Sequence, residues 1–239
     1  DIVLFINGIP VVVIEAKSPS AAEGRLKNAY GQIRLYEQDI PRLFYSNAFN
    51  IATDGVSVLY GTTGAAWEYW GRWKDPWPNR ESDFTSEFEM SLWSLLEPSR
   101  LLDIIAHFIV FETRDGKTVK KMCRYQQYRA ANKLVERVLE DEYKRGLIWH
   151  TQGSGKSLTM VFSALKLKSH RTIESPTLAN PNLLVVTDRI DLDDQIAKTF
   201  KACGLPNPVQ MDSVQELREY VHSGTQGLTL LSTIFKFED

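Results

Sequence analysis

Apolar and polar positions along the chain fall into blocks that switch between strand-like and helix-like spacing. Residues 1–6 and 11–16 are nearly continuous β-branched and apolar runs, and Asn7-Gly8 between them supplies the positive-φ pair that a tight reversal needs. Two strands turning near residue 8 are expected. From 21 to 38 charged and apolar residues mix at helical spacing, with Leu26, Tyr30, Ile33 and Tyr36 or Glu37 on related faces, until Pro41 stops the helix. Residues 49–53 and 56–60 return to short strand-like runs split by Asp54-Gly55, a second hairpin signal. Strand, strand, helix, strand, strand describes one α/β unit.

Between 61 and 84 the chain is polar and rich in tryptophan, with Trp67, Trp70, Trp73 and Trp77. Indole rings at such spacing can stack bases, but capping a core is the commoner use and is the expectation here. Helices are expected over 86–96 and 98–108, the second opened by Pro98. The charged turn Arg114-Asp115-Gly116-Lys117 marks a boundary, giving domains over 1–115 and 116–239. Beyond it a helix over 125–144 leads to a strand at 146–149, a glycine-rich loop and a helix over 158–169. A loop with Pro176 and Pro181 follows, then a strand at 183–187, a helix over 191–200, a short strand near Val209, a helix over 213–221 and a strand at 228–231. Such alternation implies a parallel sheet wrapped by helices, with ligands at the carboxyl ends of its strands.

Composition adds limits rather than a direction. At 239 residues, 43% hydrophobic and 24% charged, the sequence is that of a globular protein of two ordinary domains. Lys and Arg number 28 against 30 Asp and Glu, a formal net charge of −2, so any nucleic-acid partner must be held by local patches. The stretch from Lys117 to Arg137 is the most basic, and an ordinary solvated face explains it equally well. Cys123 and Cys203 have no second Cys or His at ligand spacing, which argues against zinc and disulfides and fits a reducing cytoplasm. No apolar run has the length of a membrane span, and no signal peptide is recognisable. The absence of an initiating Met and the strand-like run near the end are what a piece of a longer polypeptide would show.

Two constellations carry chemistry. The first is His150-Thr151-Gln152-Gly153-Ser154-Gly155-Lys156-Ser157, set between a strand-like and a helix-like run. Glycines 153 and 155 let backbone N–H groups turn inward on phosphates, Lys156 can reach the β/γ oxygens, and the Ser157 hydroxyl can hold Mg²⁺ at the helix N-terminus. His150 stands where the general pattern has Gly. The second lies in the first unit. Glu15 and Lys17 are two apart on one strand and so project from the same face, and a reversal near residue 8 brings Asp1 almost opposite Glu15. Two carboxylates and an ammonium there could hold Mg²⁺ and activate water against a phosphodiester, or could be a surface ion-pair ladder. Gln32 and Tyr36, one helical turn apart, could point at the same edge or simply belong to an amphipathic helix.

Taken together, the run from Asp1 through Glu15-Ala-Lys17 and the Gln32-Ile-Arg-Leu-Tyr36 element resembles the PD-(D/E)xK nuclease domain of the motor (R) subunit of type I restriction enzymes. Arg124-Tyr125-Gln126-Gln127-Tyr128 resembles the Gln motif, residues 150–157 resemble helicase motif I in its type I restriction form, and the stretch from Val185 to Gln195 resembles motif Ia. The order of these motifs is far more specific than any one of them, and the form of motif I accounts for His150. The resemblance implies a restriction-endonuclease-like α/β domain followed by a truncated RecA-like, parallel-sheet P-loop lobe of a superfamily 2 translocase.

It further implies Asp1 and Glu15 as metal ligands, Lys17 as the catalytic lysine, and Gln32 with Tyr36 as the supporting Gln-x-x-x-Tyr element. Gln127 would read adenine, Thr151, Gln152, Gly153, Ser154, Gly155, Lys156 and Ser157 would hold ATP, and Ser157 would ligate its Mg²⁺. The implied activity is that of a type I site-specific deoxyribonuclease and ATP-dependent translocase on double-stranded DNA. Methyltransferase and specificity subunits would be partners, with S-adenosylmethionine on the methyltransferase. The Asp-Glu-x-His motif and the second lobe are not among these residues, so productive ATP hydrolysis by this stretch alone is not expected. A single-chain nuclease-helicase of DNA repair and a non-catalytic, nucleotide-gated assembly module are the alternatives.

Overall fold

The hairpin expected at Asn7-Gly8 forms in the computed structural model, where β1 (Ile2–Ile6) and β2 (Ile9–Ala16) pair antiparallel. Asn7 and Gly8 adopt φ of 49° and 80°, the two positive values that match a turn to the strand twist. The register runs Ile2↔Ile14 to Leu4↔Val12 and then shifts at Phe5↔Pro10, where proline cannot donate a ladder hydrogen bond. The structure describes all residues except 21–23, 141, 143–144, 170–179, 206–207 and 238–239. Their contacts divide into two units, Asp1–Val110 with Thr118–Gln126, and Phe111–Lys117 with Gln127–Asp239.

In the first unit a four-stranded sheet has the order β1-β2-β3-β4, with β3 (Phe49–Thr53) parallel to β2 and β4 (Val58–Gly61) antiparallel to β3. The crossover from β2 to β3 is α1 (Arg25–Asp39), which ends because Ile40 precedes Pro41 and is pushed out of the helical region. Ala29 and Ile33 of α1, both fully buried, pack with Val13, Ala52, Leu59, Phe44 and Trp70. Trp73 is also fully buried, and Trp67 lies against the same core, as the core-capping expectation required. Next come α2 (Glu87–Leu96), whose N-cap Ser86 accepts from Glu89 N–H, and α3 (Pro98–His107), where the Glu97 side chain caps Arg100 N–H.

One element had not been expected. β5 (Ile109–Arg114) and β6 (Lys117–Met122) form a two-stranded ribbon whose turn, Asp115-Gly116, has φ of 49° and 72°. The expected boundary at 115/116 falls inside this turn. The Asp-Gly signal was present in the sequence, but the lysines flanking it hid the strand period.

Besides Phe111–Lys117, the second unit takes in α4 (Tyr125–Glu140) from Gln127 onward, α5 (Lys156–Ser169), β7 (Leu183–Thr187), α6 (Ile190–Ala202), β8 (Pro208–Gln210), α7 (Val214–His222) and β9 (Thr229–Thr233). The three strands are parallel in the order β7-β9-β8, and every residue of central β9 is buried. Met211, Leu217 and Leu230 form a core cluster between this sheet and α7. The strand expected at 146–149 does not form: residues 145–150 are irregular, with Leu147 and Trp149 each 85% exposed. An apolar run becomes a strand only by joining a ladder, and no described strand pairs with it. The end of the expected 125–144 helix and most of the loop containing Pro176 lie outside the described residues. Among the described residues no helix is long and apolar enough to cross a membrane.

Candidate functional site

The β1–β2 register, extended one residue past Ile2↔Ile14, sets Asp1 opposite Glu15. Glu15 lies on central strand β2, is 2% exposed, and shares a sheet face with Val13, the face that α1 covers. The Lys17 ammonium lies 2.6 Å from Glu15 Oε1, and Lys17 N–H donates to Thr53 carbonyl at 2.8 Å, so β3 fixes the backbone that presents the lysine. From above, the Tyr36 hydroxyl of α1 donates to Asp1 Oδ2 at 3.1 Å. Partial burial and the neighbouring Glu15 carboxylate raise the Tyr36 hydroxyl above its ordinary range, against a smaller opposing effect from the Gln32 side chain. The phenol therefore stays a proton donor at neutral pH. All five residues expected at this site thus converge, although Asp1 and Tyr36 are 35 positions apart.

Glu15 Oε2 is buried and has no hydrogen-bond partner among the described residues, a costly state for a carboxylate oxygen unless something positive meets it. Among the described residues no group of three or more His, Cys, Asp or Glu could hold a metal, and Asp1 and Glu15 are the two carboxylates here that could contribute to one. Hard oxygens from two carboxylates, completed by water and phosphate oxygens, suit Mg²⁺, which keeps several waters in its shell. The residues present fit such an ion.

The glycine-rich loop at 150–157 is closed on itself. The Thr151 carbonyl accepts from Ser154 N–H at 3.3 Å, from Ser154 Oγ at 2.7 Å and from Lys156 Nζ at 3.1 Å. Gly153 and Gly155 have φ of 76° and 83°, a region L side chains seldom enter, and α5 starts at Lys156 with Ser157 in its first turn. Gln152 is exposed. Gln127 is 3% exposed and its Nε2 donates to Gly155 carbonyl at 3.0 Å, so in this structure the amide braces the loop. On motif Ia, Asp193 is buried and accepts from Gln210 Nε2 at 3.0 Å and Thr187 Oγ1 at 3.4 Å, tying α6 to β7 and β8.

Comparison with known proteins matches residues 1–69 to the N terminus of the type I restriction enzyme R protein and residues 126–239 to the SWI2/SNF2 ATPase family. The chain is 36% identical over 250 residues to the type I restriction enzyme HindI endonuclease subunit of Haemophilus influenzae, covering 99% of this chain and 23% of that one. The chain belongs to the type I restriction enzyme R protein family. It is also 36% identical over 239 residues to the putative MjaVIIP endonuclease subunit of Methanocaldococcus jannaschii, covering 93% of this chain and 22% of that one. The chain therefore spans less than a quarter of the length of these relatives, and the R protein N-terminal match holds both the hairpin and Gln32-x-x-x-Tyr36.

Two cavities, of about 630 Å³ beside Arg72, Lys74 and Glu87 and about 960 Å³ beside Arg114, Asp194 and Lys198, are lined by none of the expected site residues. What the sequence did not show is a buried polar network next to the carboxylate cluster, built on Glu37, Asn47, Asn50 and Lys120. Lys120 had counted only as part of a basic stretch, read either as a nucleic-acid patch or as a solvated face. Its partial burial depends on contacts with Asn47 and Thr63, 73 and 57 positions away, which local pattern does not encode.

Proposed function

We propose that the first unit is the restriction-endonuclease-like cutting domain, and the second the first RecA-like motor lobe, of a type I restriction system acting on double-stranded DNA. The observation that carries this reading is the convergence of Asp1, Glu15, Lys17, Gln32 and Tyr36 at one end of the opening hairpin. In this reading Asp1 and Glu15 hold Mg²⁺, which when bound acts as a Lewis acid on the phosphodiester and makes its water more acidic. Lys17, held against Glu15, would supply an ammonium to offset negative charge that grows on the phosphate as the P–O bond breaks. Tyr36 donates to Asp1 and fixes the direction of that carboxylate, while Gln32 supports Tyr36.

In the second unit ATP would occupy the 151–157 loop, drawing Lys156 off the Thr151 carbonyl and onto the phosphates, with Ser157 toward the nucleotide's Mg²⁺. Gln127 would read adenine while keeping contact with the loop through Gly155. ATP-driven travel along DNA would rest on phosphate contacts, and methyltransferase and specificity subunits would supply the address. The cytoplasm, where DNA and ATP meet, is the compartment this activity requires. Plasmid cutting by the full-length subunit in its assembly tests the reading. Glu15→Ala and Lys17→Ala should each reduce cutting at least a hundredfold while ATP hydrolysis persists, and cutting at the unaltered rate would refute it.

A further inference from the structure

Beside Tyr36, α1 carries a carboxylate that the cutting chemistry does not use. Glu37 has a side chain only 8% exposed, and both its oxygens accept from Gly64 N–H, at 3.2 and 3.3 Å. Arg34, one turn earlier, pairs with Oε2, and Asn50 Nδ2 of β3 approaches Oε1 at 3.4 Å. The network continues through buried Asn47, whose Nδ2 donates to Asn50 Oδ1 at 3.0 Å and whose Oδ1 accepts from Thr63 Oγ1 at 2.8 Å. It ends on Lys120 of β6, whose ammonium donates to Asn47 carbonyl and lies 3.5 Å from Thr63 Oγ1.

Burial pushes the Glu37 carboxyl up against the pull of Arg34, Gly64 N–H and Lys120, and burial pushes the Lys120 ammonium down against the pull of Glu37. The buried Glu37 charge is offset chiefly by Arg34 and the Gly64 N–H, with a smaller share from Lys120, whose own charge is in turn favoured by Glu37. The network joins α1, the start of β3, the loop after β4 and β6, in addition to the hydrophobic contacts α1 makes through Ala29 and Ile33. Its distinctive effect is orientation. It clamps the last turn of α1, the turn that carries Tyr36, whose carbonyl also accepts from Ile40 N–H at 2.8 Å.

We propose that Glu37 is a positioning residue of the cutting centre, holding the end of α1 so that Tyr36 keeps its hydroxyl on Asp1 and beside Glu15. The inference rests on the nuclease reading of that cluster. Displacement of a supporting group by about 1 Å can cost two orders of magnitude in rate, so a clamp remote from the reacting atoms has a measurable effect.

The test is a double-mutant cycle on DNA cutting by the full-length assembly, with ATP hydrolysis and thermal melting followed in parallel. Tyr36→Phe and Glu37→Ala should each slow cutting about tenfold without changing ATP hydrolysis, and the double variant should be no slower than the slower single one. Glu37→Gln, which keeps an acceptor for Gly64 N–H, should recover most of the loss. Multiplying effects, about a hundredfold in the double variant, would overturn the proposal, as would wild-type cutting by either single variant. Should Glu37→Ala fail to fold, Lys120→Met, which removes the ammonium without opening a cavity, replaces it under the same criterion. Glu15→Ala separates the two readings: if that variant still cuts, the nuclease assignment falls, and if it is dead while the other effects multiply, only the positioning role falls.

Discussion

Adding one methyl group at Gly155 probes the coupling between Gln127 and the phosphate loop. At φ 83° an alanine costs about 1–2 kcal/mol in backbone conformation alone. The new Cβ would also overlap Gln127 Nε2, so the buried amide must leave Gly155 carbonyl, forfeiting about 0.5–1.5 kcal/mol for that hydrogen bond. Gly153→Ala is the internal control, since its φ of 76° carries the same backbone cost while its Cβ would meet nothing within 4 Å. Titration of the full-length subunit with a fluorescent ATP analogue should therefore show Gly153→Ala weakened about five- to thirtyfold, and Gly155→Ala about two- to tenfold further. In a Gln127→Ala background the extra loss at Gly155 should vanish. Equal effects of the two glycine substitutions, or a gap that survives removal of Gln127, would refute the assigned contact.

Two further outcomes test the first unit. Gly61→Ala would set a Cβ 2.5 Å from the buried Trp70 ring, and overpacking of this kind should lower stability by about 1–3 kcal/mol in urea unfolding followed by tryptophan fluorescence. Asp54 is buried, which alone would raise its carboxyl. The N–H groups of Ser57 and Val56 and the Arg25 guanidinium outweigh that and leave it below the ordinary range. Its stabilisation is thus full above the unfolded carboxylate value of about 4 and is lost as pH falls through the depressed folded value. Asp54→Ala should cost about 1–3 kcal/mol at pH 7 and progressively less in acid, as read from urea midpoints against pH. A pH-independent difference would contradict the assigned cause.

The carboxylate cluster was legible because a two-residue turn fixes pairing: once Asn7-Gly8 is the reversal, Asp1 has nowhere to fall but near Glu15. Proline 10 shifts the register by one residue on the way, which brings Asp1 and Glu15 directly opposite. The burial of Trp70 and Trp73 was equally open to inference, since large indoles seldom stay in water. Non-local dependence hid the rest. Residues 146–149 have the composition of a strand, yet composition does not supply a partner edge. Lys120 sits among lysines and looks solvated until β6 is seen to carry it to Asn47. Glu37 could be placed on the inner face of α1 by period alone, but its partners come from β3 and the loop after β4, and no spacing rule connects these.

On the proposed reading, Asp1 and Glu15 jointly bind a divalent cation at the end of the hairpin. Replacing Mg²⁺ by Fe²⁺ in the full-length subunit and generating hydroxyl radicals with peroxide and ascorbate cuts the backbone next to the bound ion. Scission should centre on residues 1 and 15, be suppressed by excess Mg²⁺ and be lost in Asp1→Asn and Glu15→Gln. Scission elsewhere, or an unchanged pattern in both variants, would contradict it.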